Sequence, residues 1–222
     1  MKVDLLEVYR RLFEAYGPQR WWPGETPLEV VVGAVLVQNT AWRNVERAID
    51  DLRDAGALSI DRLHALGLEE LAELIRPAGY YRVKAKRLKN LLRLIVERFD
   101  GSLETMFRTP PDALREELLG VNGVGPETAD GILLYAGGVP VFVVDAYALR
   151  VAARHGWIDF DTDYHALQDF FTGGLPADAA LFNEYHALLV RVGKEHCGKT
   201  PRCEGCPLVE LLPEGGPRCP EW

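Results

Sequence analysis

An all-α fold is predicted by three features of the sequence. Apolar residues recur at helical spacing in stretches of about ten to sixteen residues. Short Gly, Pro or Asp breaks separate those stretches. The one β-prone run, the valine-rich residues 28–37, has no partner strand with hairpin turn chemistry after it.

The elements follow in chain order. Residues 3–16 carry Val3, Leu6, Val8, Leu12, Phe13 and Tyr16 and stop at Gly17-Pro18, a helix terminator. After Trp21-Trp22-Pro23-Gly24, residues 28–37 are apolar almost throughout and are read as a buried helix. Helices over about 41–54, 69–76, 82–99 and 112–119 come next, the last opened by Pro110-Pro111-Asp112, which restricts the chain before the first turn. The turn Gly120-Val121-Asn122-Gly123-Val124-Gly125-Pro126 leads into helical sequence over 127–135. Beyond Pro140 the apolar residues 141–144 end at Asp145 and a helix over 146–155, and two more helices cover 163–171 and 178–193. No internal repeat or low-complexity segment stands out.

A chain of 222 residues with 48% apolar and 26% charged residues buries a sizeable core. No apolar run reaches the roughly eighteen residues of a membrane span, and Met1-Lys2-Val3-Asp4 leads into charged sequence rather than a signal peptide. No membrane partner and a cytoplasmic, nucleoid-associated location are expected. The net charge of −8 opposes a nucleic-acid partner unless basic charge is concentrated locally. Two groups could concentrate it: the segment Arg82-Val83-Lys84-Ala85-Lys86-Arg87-Leu88-Lys89, and Arg191, Lys194, Lys199 and Arg202. Either group also fits a solvated helix face.

Three motifs bear on chemistry. The four cysteines, Cys197, Cys203, Cys206 and Cys219, all lie in the last part of the chain, which points to a metal site rather than a disulfide framework. Only Cys203 and Cys206 make a close pair, so the spacing fits a [4Fe-4S] cubane better than structural zinc, which stays as the alternative. In the hairpin turn, Gly123 and Gly125 allow positive φ and close backbone approach, and Pro126 presets the next helix. That geometry aims backbone N–H groups and a helix N-terminus at one point, where an anion such as a DNA phosphate belongs. A tight αα-hairpin needs glycine for packing as well. Asp145 stands at the mouth of the following helix, where it is a favoured N-cap for the amides of Tyr147 or Ala148. A catalytic role does not exclude that cap.

The order Gly123-Val124-Gly125, then Val144-Asp145, then clustered C-terminal cysteines resembles the helix-hairpin-helix DNA glycosylase superfamily, in its endonuclease III branch. Val37-Gln38-Asn39-Thr40 is similar to that family's wedge region, and Ala78-Gly79-Tyr80-Tyr81 to its glycine-tyrosine-lysine stretch. The resemblance implies two helical lobes. A six-helix barrel with the helix-hairpin-helix would cover 25–136, and a [4Fe-4S] cluster lobe would be formed by 1–24 and 137–222, with double-stranded DNA holding a damaged base bound across the cleft by a monomer. By the same resemblance Asp145 is the catalytic carboxylate, Gln38 fills the gap left by the flipped base, Gly123, Val124 and Gly125 grip the backbone, and Lys199 belongs to a basic loop touching DNA.

Two departures from the family pattern shape the expected chemistry. Glu127 occupies the position where bifunctional relatives carry the lysine that forms a Schiff base, and glutamate cannot form that imine. The resemblance therefore implies a monofunctional glycosylase hydrolysing the N-glycosidic bond with Asp145-activated water. Glu127-Thr128-Ala129-Asp130 further resembles an alkylation-repair branch, although Glu127 also suits the solvated first turn of a helix. Cys219 lies thirteen residues beyond Cys206, where relatives place the last ligand nearer; a longer loop can still close. Of the aromatic candidates for stacking on an extruded base, Trp21, Trp22, Trp42, Tyr80 and Tyr147, only Tyr147 is expected near the pocket. His186 and His196 are expected to be structural. The rival readings are a catalytically inactive paralogue, a bifunctional enzyme with a lysine from elsewhere, and a Cys₄ metalloprotein that does not bind DNA.

Overall fold

The computed structural model describes residues 3–21 and 24–220; Trp22, one of the aromatic candidates, lies outside them. The chain is helical, and among the described residues no β-strand forms, a lone antiparallel bridge between Cys197 and Pro201 being the nearest approach. No described helix is long and apolar enough to cross a membrane. The fold divides into two compact units, a central one of Trp22–Val139 and a terminal one of Met1–Trp21 with Pro140–Trp222.

The central unit is built round α2 (Pro27–Leu36). Seven consecutive residues, from Val30 to Leu36, are buried there. A helix apolar on every side belongs in a core, and surrounding helices override the β preference of its valines. Thr26 caps it by accepting from the Glu29 amide, and Pro27 supplies the preset first turn. The buried Glu29 carboxylate is matched by Arg53 at 3.2 Å and by the Glu25 amide at 2.8 Å. Helix α3 (Trp42–Asp54), the expected amphipathic element, follows.

Two helices escaped the periodicity, α4 (Ile60–Ala65) and α7 (Leu103–Phe107). Each is under two turns long and buries a single apolar side chain, Leu63 or Met106. Their one legible signal was the N-cap: Ser59 accepts from the Arg62 amide and Ser102 from the Thr105 amide. Helix α5 (Leu68–Leu74) is shorter than expected, because Pro77 turns the chain into a 3₁₀ turn at Arg76–Ala78.

Helix α6 (Tyr81–Phe99) is the longest element of the central unit, and its basic residues divide: Arg82 and Lys86 are exposed, whereas Lys84 and Lys89 turn inward. Lys84, 2% exposed, donates to the carbonyls of Leu36 (2.8 Å) and Ala78 (2.7 Å). Lys89 donates to the carbonyls of His64 and Leu66, and Arg82 pairs with Glu69 at 3.6 Å. Lys84 falls on one helix face with Leu88, Leu91 and Ile95, all buried, and its ammonium satisfies two carbonyls that would otherwise be left unpaired. Helix α8 (Pro111–Leu119) and α9 (Pro126–Gly131) flank the glycine turn, and α9 runs on into a π-helical turn over Ile132–Ala136.

The terminal unit packs α1 (Leu5–Tyr16), α10 (Ala146–Arg154), α11 (Tyr164–Thr172) and α12 (Ala179–Glu195). α12 is its spine and meets both α1 and α10. The apolar run ahead of Asp145 enters the core as extended chain. Phe142 stacks on Phe171 with centroids 4.6 Å apart and meets Phe182 and Tyr185 edge-on at 5.2 and 5.8 Å. This aromatic cluster fixes the entry of α10, and with it the position of Asp145.

Candidate active site and cysteine loop

The glycine turn closes by local hydrogen bonds, with the Val121 amide donating to Leu118 and the Val124 amide to Val121 at 3.0 Å. Its two expected special glycines differ. Gly123 has φ +100°, and a Cβ there would lie 2.2 Å from Arg87 Cγ, so both conformation and space require glycine. Gly125 has φ −98°, an extended conformation open to any residue, and a Cβ there would meet nothing within 4 Å. The expectation that both allow positive φ is therefore corrected: only Gly123 uses it, because Gly125 is already the extended N-cap position of α9. Val124 is buried and its amide is taken by Val121, so its side chain serves the core.

Helices α8 and α9 are clamped together by a pair that the sequence did not reveal. Arg115 Nε and Nη2 donate to Asp130 Oδ1 and Oδ2 at 2.6 and 3.1 Å, with the Asp130 side chain fully buried. Glu127, at the lysine-replacement position, is exposed on the first turn of α9. Gln38, from the α2–α3 connection, is folded onto the turn: its Nε2 donates to the Gly123 carbonyl at 3.2 Å and to Thr128 Oγ1 at 3.0 Å, while Arg87 donates to its Oε1. Gln38, Gly123, Arg87 and Thr128 thus form one polar knot in the central unit.

In the terminal unit, Asp145 is the N-cap of α10, and Oδ1 accepts from the amides of Tyr147 and Ala148 at 2.9 and 2.8 Å. Its Oδ2 stands 3.6 Å from His186 Nε2 of α12, and the Asp145 side chain is 13% exposed against 7% for His186. Burial works to raise the carboxyl pKa, but His186 and the two amides outweigh it and hold the group below the usual carboxylate range. Cap and ionised carboxylate are therefore one arrangement. His186, expected to be merely structural, is the ionisable side chain that faces Asp145. An aspartate and a histidine on separate helices leave no sequence signal for such a pairing.

Tyr147, expected near the pocket, has its ring packed against α12. Its ring packs on Gly193, where a Cβ would come within 2.6 Å of Cδ1, and it lies beneath Arg150 and Lys194 at 5.1 and 5.9 Å. Among the described candidates the exposed aromatic is Tyr80, 74% exposed and held at φ +48° before α6.

The cysteine loop brings together three of the four cysteines. Burial raises the pKa values of Cys197 and Cys206, with Cys203 acting on both through like charge. Cys219 does not join them; it is exposed, and its Sγ lies 3.9 Å from the Pro217 carbonyl. The loop before it turns at Gly215 and Gly216, φ +93° and +96°, and Arg218 anchors to the Arg154 carbonyl at 2.9 Å. Among the described residues no three His, Cys, Asp or Glu side chains stand as a ready metal site. The donors at 197, 203 and 206 nevertheless suit a thiolate-bound metal group. Beside them lies Arg154, 3% exposed, whose Nη2 donates to the Lys199 carbonyl while Nε and Nη1 have no hydrogen-bond partner among the described residues. A buried guanidinium in that state calls for an anion, which ligating thiolates supply. Lys199 itself is exposed.

Comparison with known proteins agrees with this architecture. Residues 32–176 match the family of HhH-GPD superfamily base excision DNA repair proteins. A putative DNA repair glycosylase of Methanocaldococcus jannaschii is 48% identical over 209 residues, covering 93% of this chain and 94% of the relative. Among solved structures, a Helicobacter pylori 3-methyladenine DNA glycosylase bound to 1,N6-ethenoadenine superposes with a TM-score of 0.77 at 30% identity, covering 87% of this chain and 98% of its own. A non-covalent endonuclease III–DNA complex gives a TM-score of 0.81 at 25% identity and covers 97% of both chains. The chain belongs to the HhH-GPD superfamily of base excision DNA repair proteins, among the endonuclease III-like DNA glycosylases.

Proposed function

We propose that the protein is a monofunctional glycosylase that removes an alkylated base from duplex DNA, with Asp145 activating the water that attacks C1′. The observation that carries this reading is the state of Asp145: shielded from water, held ionised, and with only one of its oxygens spent on the helix cap. A stacked base hides its glycosidic bond, so the nucleotide must first be extruded, at a cost of a few kcal/mol that a damaged base lowers. As the bond lengthens, positive charge develops on the sugar, and a fixed carboxylate stabilises it electrostatically. The base leaves with the bonding electron pair, the water's oxygen joins C1′, and its proton passes to the carboxylate. An intact abasic site remains.

Glu127 supports hydrolysis over lyase chemistry, since a carboxylate cannot form an imine with the sugar. An ionised carboxylate such as Asp145 at the reacting sugar would also favour a cationic leaving group, as N-alkylated purines are. The similarity to a 3-methyladenine DNA glycosylase points the same way. For the cysteine loop we infer a [4Fe-4S] cluster, with zinc as the alternative; Cys197, Cys203 and Cys206 would hold it together with Cys219, whose exposed loop would have to bring that thiol in, and it would cross-link the loop that carries Lys199. A brown preparation that loses its colour on oxidation is expected, and a colourless zinc-loaded one overturns the cluster.

The test of activity is single-turnover release of labelled base from methylated duplex DNA. Asp145→Asn should lower the rate by about 10²- to 10⁴-fold, the usual worth of a positioned general base. A protein–DNA adduct trapped by borohydride during base release would show a bifunctional enzyme instead. Tight duplex binding with no base released would make the chain an inactive paralogue.

A further inference from the structure

The Asp145 carboxylate has two oxygens with separate environments, and the helix cap explains only one of them. Oδ1 is saturated by the amides of Tyr147 and Ala148. Oδ2 looks across to α12, where His186 Nε2 lies 3.6 Å away in a site that leaves the two side chains 13% and 7% exposed. We propose that His186 is the positioning residue of the reaction: it engages Oδ2 and so fixes the carboxylate that must face the attacking water. This rests on the role proposed for Asp145 and adds to it the partner that orients it.

The aromatic core of this unit is made by Phe142, Phe171, Phe182 and Tyr185. His186 instead carries a polar ring into a buried place beside a buried acid, with the Trp21 ring 6.2 Å from its own. A buried carboxylate left to the cap alone would be pushed toward its neutral form by burial. Interaction with His186 reverses that push and is the largest influence holding the group ionised.

Of the other charged groups on the packed elements, Glu184 accepts from the Gln19 amide, Arg154 donates to the Lys199 carbonyl, and several more are engaged elsewhere. On α10 and α12, Arg150 and Lys194 lie over the Tyr147 ring, and Arg191 pairs with Glu195 at 3.0 Å. On α1, Arg10 pairs with Asp4 and Glu7, and Arg11 with Glu7 and Glu210, while Glu14 is exposed. Removing His186 therefore removes the side chain that, among the described residues, acts most on Asp145. At low pH more of the variant's Asp145 becomes protonated, and the variant loses rate where the wild type does not. Below both midpoints, each unit by which the midpoint rises lowers the rate about tenfold.

The experiment uses the full-length holoprotein, wild type, His186→Gln and His186→Leu, with two readouts. The first needs no substrate: the Asp145 carboxyl carbon is titrated by NMR, its resonance assigned by its loss in Asp145→Asn. The second is the pH profile of single-turnover base release from methylated duplex DNA. The midpoint should move upward in both variants, with the acid limb of the rate profile moving by the same amount. Should His186→Leu not fold, His186→Gln, which keeps the size and a donor, carries the test. An unchanged midpoint in a folded variant overturns the proposal, whatever the activity. A midpoint that moves while the acid limb stays put overturns it as well, since the pair would then be structural. If the wild type releases no base while the midpoint still moves, the pairing stands and the proposed function is what fails.

Discussion

A Cβ built at Gly123 would sit 2.2 Å from Arg87 Cγ, whereas at Gly125 it would touch nothing within 4 Å, so two glycines two positions apart answer to different constraints. Gly123→Ala combines a left-handed backbone with a side-chain collision and should cost about 1–3 kcal/mol. Gly125→Ala keeps an ordinary extended conformation and should change stability by no more than about 0.5 kcal/mol. Urea unfolding of the two variants measures both, and equal costs would show that the turn is not the one described. The sequence alone could not separate them, because a glycine's letter records freedom and not whether the chain uses it. Asp145 was legible as a cap from its place before a helix. Its second partner was not, because His186 is brought to it by the packing of α10 on α12 and by nothing local. The Arg115–Asp130 clamp was hidden for the same reason, being joined across the turn.

Elements long enough to show a period were read closely. α6 spans 19 residues and α12 spans 17, and both lie near where the apolar spacing put them; α4 and α7, with six and five residues, are too short to repeat. What periodicity misjudged was the direction of single charges on a correctly drawn helix. Lys84 counted as part of a basic footprint, yet its ammonium pins α6 to the end of α2 and to the 3₁₀ turn at Arg76–Ala78. Lys84→Met should cost about 1–3 kcal/mol at neutral pH, because two buried carbonyls lose their donor. The pH dependence has a definite sign. Burial, aided by the neighbouring Arg87, lowers the Lys84 pKa from 10.5 to about 8. Between those values the unfolded chain holds a proton that the folded one has released, so raising the pH favours folding. The stability advantage of the wild type over Lys84→Met should therefore widen from about pH 8 to 10.5, read by denaturant unfolding across that range. A constant gap would mean that the lysine titrates as it does in water.

For the molecule as a whole, the question is how a chain of net charge −8 engages a polyanion. The sequence offered two basic groups to answer it, and the structure withdraws much of both. Lys84 and Lys89 are turned to carbonyls, Arg82 faces Glu69, Arg87 is bound to Gln38, Arg191 pairs with Glu195, and Arg202 donates to the Glu195 carbonyl at 2.8 Å. Of the two groups, Lys86, Lys194 and Lys199 stay exposed to displace counterions from a duplex. Each neutralised phosphate contributes about 0.9 to the slope of log affinity against log salt. Binding to an undamaged duplex should accordingly be weak and show a slope shallower than about −5, the value that roughly six phosphates would give. Fluorescence anisotropy from 50 to 200 mM salt, on the order of the range over which strongly basic binders lose most of their affinity, makes the measurement. A shallow slope would place selectivity in the extruded base rather than in charge, as expected of a protein that inspects many intact sites and must leave them. A steep slope would show that Arg82, Arg87 and Lys89 give up their internal partners on meeting DNA, and with them the contact that folds Gln38 onto the glycine turn.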